Sequence, residues 1–316
     1  MEESYETRRP TIPAAEEILG KAFPVLDHGF VRLVDYMGGD DAIVQAARVS
    51  YGKGTKKVSE DRGLIRYLMR HRHTTPFEMV ELKFHAKMPI FVARQWIRHR
   101  TANVNEYSGR YSIMDREFYI PEPEDIAVQS KSNRQGRGEV FSREDARWVR
   151  RLLFEDSERA YQHYLHMLNE DPDRLQETDR KPLDPTRPML ARELARIGLT
   201  LNYYTQWYWK IDLHNLFHFL GLRMDEHAQK EIQPYATVMA DMARAVAPNA
   251  FQAFEDYYLN SMSITGPETR ILRELLSGAD LSKLEELSRT LPTKREGREF
   301  MEKMKELLDR SPSGAA

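Results

Sequence analysis

The sequence contains no cysteine among its 316 residues. Disulfide bonds, thiolate metal sites and a cysteine nucleophile are therefore excluded. No apolar run approaches the roughly 18 residues that a membrane-spanning helix needs, and the first ten residues, MEESYETRRP, lack the apolar region of a signal peptide. We therefore expect a protein of the reducing cytoplasm that has no membrane partner.

The net charge of the chain is also small. The 47 basic residues face 49 acidic ones, a formal net charge of -2, which argues against a surface that binds nucleic acid or anionic membrane over its whole area. Local basic clusters therefore need a local explanation. The hydrophobic share of 41% and the charged share of 30% are ordinary for a folded chain.

Hydrophobic periodicity predicts a mixed α+β fold. Apolar and polar residues alternate from 80 to 88, which indicates a strand with one buried and one solvated face, as in an antiparallel sheet. We expect a mainly antiparallel sheet flanked by helices, with additional helices. The predicted strands are 30–37, 80–88 and 117–120, and the predicted helices are 40–49, 59–70, 89–100, 142–169, 188–200, 212–222 and 225–247.

Local signals refine these elements. Ser59 and Ser142 are suited to cap helix N-termini, Pro89 to occupy a first helical position, and Pro234 to kink the last helix. HTTPFE, at 73–78, predicts a tight turn. On the helix after Ser142, the candidates for the buried face are Trp148, Leu152, Leu153, Tyr161, Tyr164, Leu165 and Leu168.

We divide the chain into a catalytic domain, 1–260, with a flexible polar insertion at about 121–140, and a helical extension, 261–316, with a disordered end. The segments 170–187 and 52–54 are predicted loops, and the second, rich in lysine, suits either phosphate or a solvated turn. The aromatic segment 201–210, LNYYTQWYWK, is typical of packing or of contact between subunits.

The densest polar chemistry lies at 95–112, QWIRHRTANVNEYSGRYS. Arg94, Arg98, Arg100 and Arg110 fall within seventeen residues, and Glu106 is the one internal counter-charge. Like charges one helical turn apart oppose each other, whereas guanidinium groups capture phosphate or carboxylate in bidentate fashion. Two interpretations stay open: an anionic ligand, or salt bridges to acidic residues elsewhere.

A family resemblance bears on that choice. The run RHRTANVNEYSGR, residues 98–110, resembles the RHRxxSxNExSxR signature of flavin-dependent thymidylate synthases and matches seven of its eight specified positions. Asn103 departs, because the family has serine there. AARVSYGKG, HTTPFE, PIFVARQW and LGLRMDEHAQKEI resemble further family blocks in family order, so that the likeness spans about 30–254.

The resemblance implies reductive methylation of dUMP to dTMP. Methylenetetrahydrofolate supplies the carbon, and FAD reduced by NADPH supplies the hydride. The family needs no enzyme cysteine, in agreement with the composition. Its members are homotetramers whose active sites combine residues from several subunits.

The resemblance also assigns residues. Arg223 matches the catalytic arginine that faces the uracil and favours ionisation at its N3. The implied dUMP-binding residues are Gln95, Arg98, Glu106, Ser108, Gly109, Arg110, Arg196 and Arg223. The implied FAD-binding residues are His73, Thr75, Glu78, Arg98, His99, Arg100, Asn105, Glu106, Asp212, His214, His218 and His227.

Two of these positions depart from some members of the family. Asp212 and His214 stand where those members have asparagine and arginine. Without the resemblance, His214 and His218, one turn apart, are a structural pair, and no carboxylate or cysteine pattern supports a metal site.

Two alternatives remain. The arginine cluster and the aromatic segment would also suit a nucleic-acid-binding protein, which near-neutral net charge disfavours. Because Asn103 replaces the signature serine, a flavoprotein of the same fold that lacks synthase activity is the other alternative.

Overall fold

The computed structural model describes residues 9–49, 58–131, 136–172, 182–276 and 281–309. The predicted loop at 52–54, the end of the chain and half of the predicted loop 170–187 lie outside these ranges. The strands are β1 Ala22–Val25, β2 Gly29–Met37, β3 Glu81–Pro89, β4 Asn103–Glu106, β5 Ala127–Gln129, β6 Arg137–Val140 and β7 Tyr204–Asp212.

The helices surround these strands in sequence and confirm the mixed α+β class. The α-helices are α1 Pro13–Ile18, α2 Asp40–Val49, α3 Val58–Arg70, α4 Ile90–Trp96, α5 Arg143–Met167, α6 Arg192–Ala195, α7 Leu213–Arg223, α8 Gln233–Val246, α9 Pro248–Phe254, α10 Gly266–Leu276, α11 Leu281–Ser288 and α12 Lys294–Asp309. Short 3-10 helices cover Thr75–Met79, Pro123–Asp125 and Arg196–Gly198, and a π-helix covers Glu255–Leu259.

A five-stranded antiparallel sheet of order β1-β2-β3-β7-β4 forms the centre of the fold. The predicted strands 30–37 and 80–88 are confirmed as β2 and β3, each within one residue. In β3 the alternating apolar side chains, such as Leu82 and Phe84, are fully buried. Period-two alternation places them all on one face of the sheet.

The main core lies between that face and the helices α4, α7 and α8. Trp96 of α4 is fully buried, with its ring 5.4 Å from Trp209 of β7 and 5.1 Å from Phe219 of α7. Tyr235 of α8 completes the contact at 5.9 Å. The aromatic segment 201–210 is thereby confirmed as packing, in a central strand that the periodicity did not predict.

A second hydrophobic cluster joins α5 to α6. Tyr161, Tyr164 and Leu165 of α5 pack with Ala195 and Met114. The predicted N-cap is confirmed, because Ser142 Oγ accepts a hydrogen bond from Asp145 N at 3.1 Å. The hydrophobic cluster around Met114 holds the loop that ends at this residue against α5 and α6.

The first half of α5 differs from the prediction. Trp148, Leu152 and Leu153 were expected to face inward, but their exposed fractions are 53%, 40% and 36%. Among the described residues, the hydrophobic cluster of this helix begins only at Tyr161, so these three side chains lie outside it.

Two predicted helices, 89–100 and 225–247, have other bounds in the structure. Helix α4 ends at Trp96 rather than at 100, and Pro89 is the last residue of β3 and the N-cap of α4 rather than its first helical residue. Pro234 lies in the first turn of α8, where its missing N–H costs no hydrogen bond. The helix therefore starts there instead of bending there.

Smaller corrections concern other elements. The helix predicted at 188–200 is reduced to α6 and the following 3-10 turn, and the strand predicted at 117–120 is reduced to one bridge, Phe118 with Tyr203. Helix α3 is described from Val58, one residue before the predicted cap at Ser59. The segment 121–140 contains the β5–β6 hairpin.

The chain forms two compact units, residues 1–254 and 255–316. The second contains the π-helix and α10 to α12, in agreement with the helices predicted for the extension. In the parts of the chain described, no helix is both long and apolar enough to cross a bilayer.

Candidate functional site

A cavity of about 410 Å³ opens between α7 and the segment that follows α4. Asp212 fixes the start of α7, because its carboxylate accepts hydrogen bonds from Asn215 N at 2.9 Å and from Asn215 Nδ2 at 2.7 Å. The lining residues are Arg98, His99, Arg100, Thr101, Ile211, Asn215, His218, Leu222 and Arg223. Five of them are residues that the sequence assigned to nucleotide or flavin.

Arg223 and His99 are in direct contact inside this cavity. Arg223 Nε donates to His99 Nε2 at 3.1 Å, so the imidazole is the tautomer that carries its proton on Nδ1. Burial, reinforced by the charge of Arg223 and by His218, lowers the pKa of His99 to about 4. His99 is therefore a neutral acceptor at physiological pH, and burial also lowers the pKa of Arg223.

In the part of the chain that the structure describes, the other predicted arginines have no carboxylate partner. Within the described ranges, no ion pair involves Arg94, Arg98, Arg100, Arg110 or Arg196. Of the two interpretations that the sequence left open, the structure favours an anionic ligand over internal salt bridges.

A second cationic group surrounds Gly109. This residue is buried, and a Cβ there would lie 2.7 Å from Met114 Sδ and 3.5 Å from Arg196 Cδ, so the loop and Arg196 are neighbours. Ser108 Oγ lies 3.4 Å from Arg110 N. The loop thus brings together Ser108, Gly109, Arg110 and Arg196, four of the residues that the resemblance assigns to dUMP.

The same loop is held in place by two tyrosines of α5. Tyr161 Oη donates to the carbonyl of Met114 at 2.9 Å, and Tyr164 Oη accepts from Met114 N at 3.2 Å. Both backbone groups of Met114 are therefore satisfied by side chains of one rigid helix.

Sequence reasoning missed Arg192. Its Nη1 donates to the carbonyl of Tyr111 at 3.2 Å, and its buried Nε has no partner in the parts of the chain described. It lies four residues before Arg196, so helical spacing was the signal that could have found it. Arg192 adds a further cation beside the loop.

The strand β4 carries Asn105 and Glu106 along the edge of the sheet, where the sequence had predicted no strand. Glu106 Oε1 accepts from Thr205 Oγ1 at 2.7 Å.

Gln95 on α4 donates from Nε2 to Gln229 Oε1, and its backbone carbonyl accepts from Arg223 Nη2 at 3.4 Å. The backbone of Gln95 therefore contacts the residue predicted to be catalytic.

The other predicted flavin residues lie outside the cavity lining. His73, Thr75 and Glu78 belong to the turn before β3, where His73 stacks on Tyr67 at 5.9 Å. That turn is tied to α7 by a hydrogen bond from Leu213 N to the carbonyl of Val80 at 2.8 Å.

Two histidines complete the predicted set. His214 lies on α7, half-buried, and the exposed His227 pairs through Nδ1 with Asp225 Oδ1 at 2.9 Å. No group of three or more acidic or histidine side chains suited to a metal occurs in the described ranges.

Comparison with known proteins gives a consistent result. The family described as thymidylate synthase complementing protein matches residues 32–249. A flavin-dependent thymidylate synthase of Gluconobacter oxydans is 57% identical over 272 residues, covering 86% of this chain and 85% of its own. One from Ehrlichia ruminantium is 52% identical over 300 residues, covering 95% and 94%.

A solved structure is also similar. A UMP/dUMP methylase, PolB of Streptomyces cacaoi, bound with 5-Br dUMP, is 30% identical with a TM-score of 0.63, covering 76% of this chain and 100% of its own.

Proposed function

Because the chain belongs to the flavin-dependent thymidylate synthase family, we propose that it converts dUMP to dTMP in the cytoplasm. Methylenetetrahydrofolate would supply the carbon, and NADPH would reduce the FAD. The observation that carries this proposal is the cavity lined by Arg98, Arg100 and Arg223, none of which forms an ion pair within the described residues, and in which Arg223 donates to a neutral His99. A pocket of this size and charge suits a nucleotide-like anion.

FAD fits the donor set of the cavity. Its diphosphate needs cationic and N–H donors, which Arg98, Arg100 and Asn215 provide at the cavity surface. Bound there and reduced, FAD would supply the hydride for the methyl group. The fit rests on charge and on hydrogen-bonding capacity.

Arg223 is the residue to which we assign the catalytic role. A fixed cation beside the uracil favours the negative charge that develops when N3 ionises, and it does so most strongly where water is excluded. The neutral Nε2 of His99 accepts from Arg223 Nε. The guanidinium is thus oriented by a partner that does not cancel its charge.

The loop around Gly109 would bind the nucleotide phosphate. Arg110 and Arg196 offer guanidinium groups without carboxylate partners in the described ranges, and Arg192 has an unpartnered Nε there. Ser108 adds a hydroxyl group. Charge-assisted hydrogen bonds of this kind are roughly twice as strong as neutral ones.

We also propose a homotetramer with shared active sites. The cationic loop around Gly109 and the cavity with Arg223 have no residue in common, and large apolar side chains lie exposed next to Arg196, with exposed fractions of 74% for Ile197 and 66% for Leu201. Exposed apolar patches of this kind mark protein interfaces. Light scattering after size exclusion measures the expected tetramer mass.

The proposed activity is tested by dUMP-dependent formation of dTMP with methylenetetrahydrofolate, NADPH and FAD. We expect a yellow protein, turnover that needs all four compounds, and deuterium transfer from reduced flavin into the product methyl group. Turnover should be abolished by Arg223→Ala, while flavin absorbance is retained.

Two results would contradict the proposal. Bound flavin and dUMP without turnover would favour a flavoprotein of this fold that lacks the synthase activity. A colourless protein that takes up no FAD, yet binds RNA with a steep salt dependence, would favour the nucleic-acid alternative.

A further inference from the structure

A polar chain runs from the β5–β6 hairpin to Gln95. Glu231 is 4% exposed and forms an ion pair with Arg137 of β6. Its second oxygen accepts from Gln229 Nε2 at 2.9 Å. Gln229 Oε1 in turn accepts from Gln95 Nε2. Four side chains are thus linked in series, although the sequence did not predict any contact between them: Arg137, Glu231, Gln229 and Gln95.

The direction of this chain follows from chemistry alone. An ion-paired carboxylate accepts hydrogen bonds and donates none, whereas a glutamine amide has one donor end and one acceptor end. Gln229 must therefore turn its NH₂ group to Glu231 and its oxygen to Gln95. Gln95 must then donate to Gln229, which leaves its own Oε1 on the opposite side of the amide.

The far end of the chain is anchored. Arg137 Nη1 also donates to the carbonyl of Asp125 at 2.9 Å, and Lys230 forms an ion pair with the Asp125 carboxylate. Breaking a buried ion pair by removing one partner is costly, since it leaves an uncompensated charge. Glu231 is thus held in place as a hydrogen-bond acceptor.

We propose that Glu231 is a positioning residue, which through Gln229 presents the side-chain oxygen of Gln95 to the nucleotide. The site then selects a ligand that carries a hydrogen-bond donor facing Gln95 Oε1. The inference rests on the proposed function, which puts dUMP beside Gln95. It is supported by the contact of the Gln95 carbonyl with Arg223, at 3.4 Å.

Glu231→Gln tests the proposal by reversing the chain. The new amide at position 231 would keep its oxygen on Arg137 and offer NH₂ to Gln229, so both following amides would turn over and Gln95 would present NH₂ to the nucleotide. We expect the KM for dUMP to rise about fivefold to tenfold, the effect of one lost hydrogen bond. The kcat and the flavin spectrum should change by less than about twofold.

The exposed Gln229 provides a variant that does not risk the fold. Gln229→Ala frees Gln95 to turn either way, and we expect a smaller rise in the same KM. An unchanged KM in both single variants would overturn the proposal.

Restoration by exchange is the most specific test. In the double variant Gln229→Glu with Glu231→Gln, the new amide at position 231 would donate to the new carboxylate at position 229, whose other oxygen would again accept from Gln95. We expect the KM for dUMP to return to within about twofold of the wild type, which a purely structural role of Glu231 does not predict. A double variant as weak as Glu231→Gln would overturn the proposal.

Asp61→Asn is the matched control. It breaks the half-buried ion pair with Arg48, which has no link to Gln95 in the described contacts, and should leave the KM unchanged. If the wild type forms no dTMP, the proposed function fails. If the wild type is active but the double variant does not restore the KM for dUMP, the positioning role of Glu231 is refuted and the proposed function stands.

Discussion

Lowering the pH should destabilise the protein through His99. The pKa of its imidazole is about 4 in the folded chain, against about 6.5 for an unperturbed histidine. Between these values the unfolded chain binds a proton that the folded chain does not bind. Acid therefore favours unfolding, so this contribution to stability is complete above pH 6.5 and is lost as the pH falls toward 4.

The structure sets the size of the effect. The difference between the two pKa values corresponds to at most ~3.4 kcal/mol. Because His99 is only half-buried, solvent screens part of this energy, and we expect about 1–2 kcal/mol. Arg223→Met should raise the pKa of His99 only in part, since burial is the larger cause.

Urea unfolding from pH 4 to 7 measures the prediction. His99→Gln keeps an acceptor for Arg223 Nε but binds no proton, so its free energy of unfolding should fall less between pH 6.5 and 4 than that of the wild type. His227→Gln, at an exposed histidine, is the matched control and should behave as the wild type. Equal losses in the wild type and in His99→Gln would refute the reasoning.

Three further predictions follow from described contacts. Arg110→Ala should raise the KM for dUMP about tenfold or more, as expected for a lost charge-assisted contact to phosphate, with flavin binding unchanged; equal dUMP affinity in a binding titration would remove Arg110 from the phosphate site. Gly109→Ala should displace Met114 Sδ, because the added Cβ would lie only 2.7 Å from it, and should weaken dUMP binding several-fold, which a KM within twofold of wild type would contradict. Asp212→Ala removes the cap on Asn215 N and should lower the free energy of unfolding by about 1 kcal/mol, measured by urea titration; a loss below a few tenths would show that the cap is dispensable.

Periodicity predicted those elements whose two faces differ in polarity. Strand β3 was recognised because each buried apolar residue is followed by a charged or polar one. Strand β7 was missed because it carries Tyr204, Trp207, Tyr208 and Trp209, large aromatic side chains on both faces. Strand β4 was missed for the opposite reason: all four of its residues are exposed.

The candidate site could be predicted as a set of residues but not as an arrangement. The signature brought Arg98, His99 and Arg110 to attention as neighbours in sequence. That His99 accepts from Arg223, 124 residues later, depends on how α7 crosses the end of α4. Glu231 lies in the block LGLRMDEHAQKEI, but nothing in that block linked it to Gln95, because the link runs through side-chain contacts between residues more than a hundred positions apart.

The packing of the tryptophans in the aromatic core should give the protein a characteristic near-ultraviolet circular dichroism spectrum. Of four tryptophans, Trp148 is solvated, whereas Trp96, Trp207 and Trp209 are buried, with the Trp96 ring nearly perpendicular to the other two at 5.5 and 5.4 Å. Indoles this close couple in their excited states, so the near-ultraviolet circular dichroism should be dominated by this trio. Because Trp96 follows Gln95, whose carbonyl contacts the cavity residue Arg223, we expect occupation of the cavity to change that signal without any attached label.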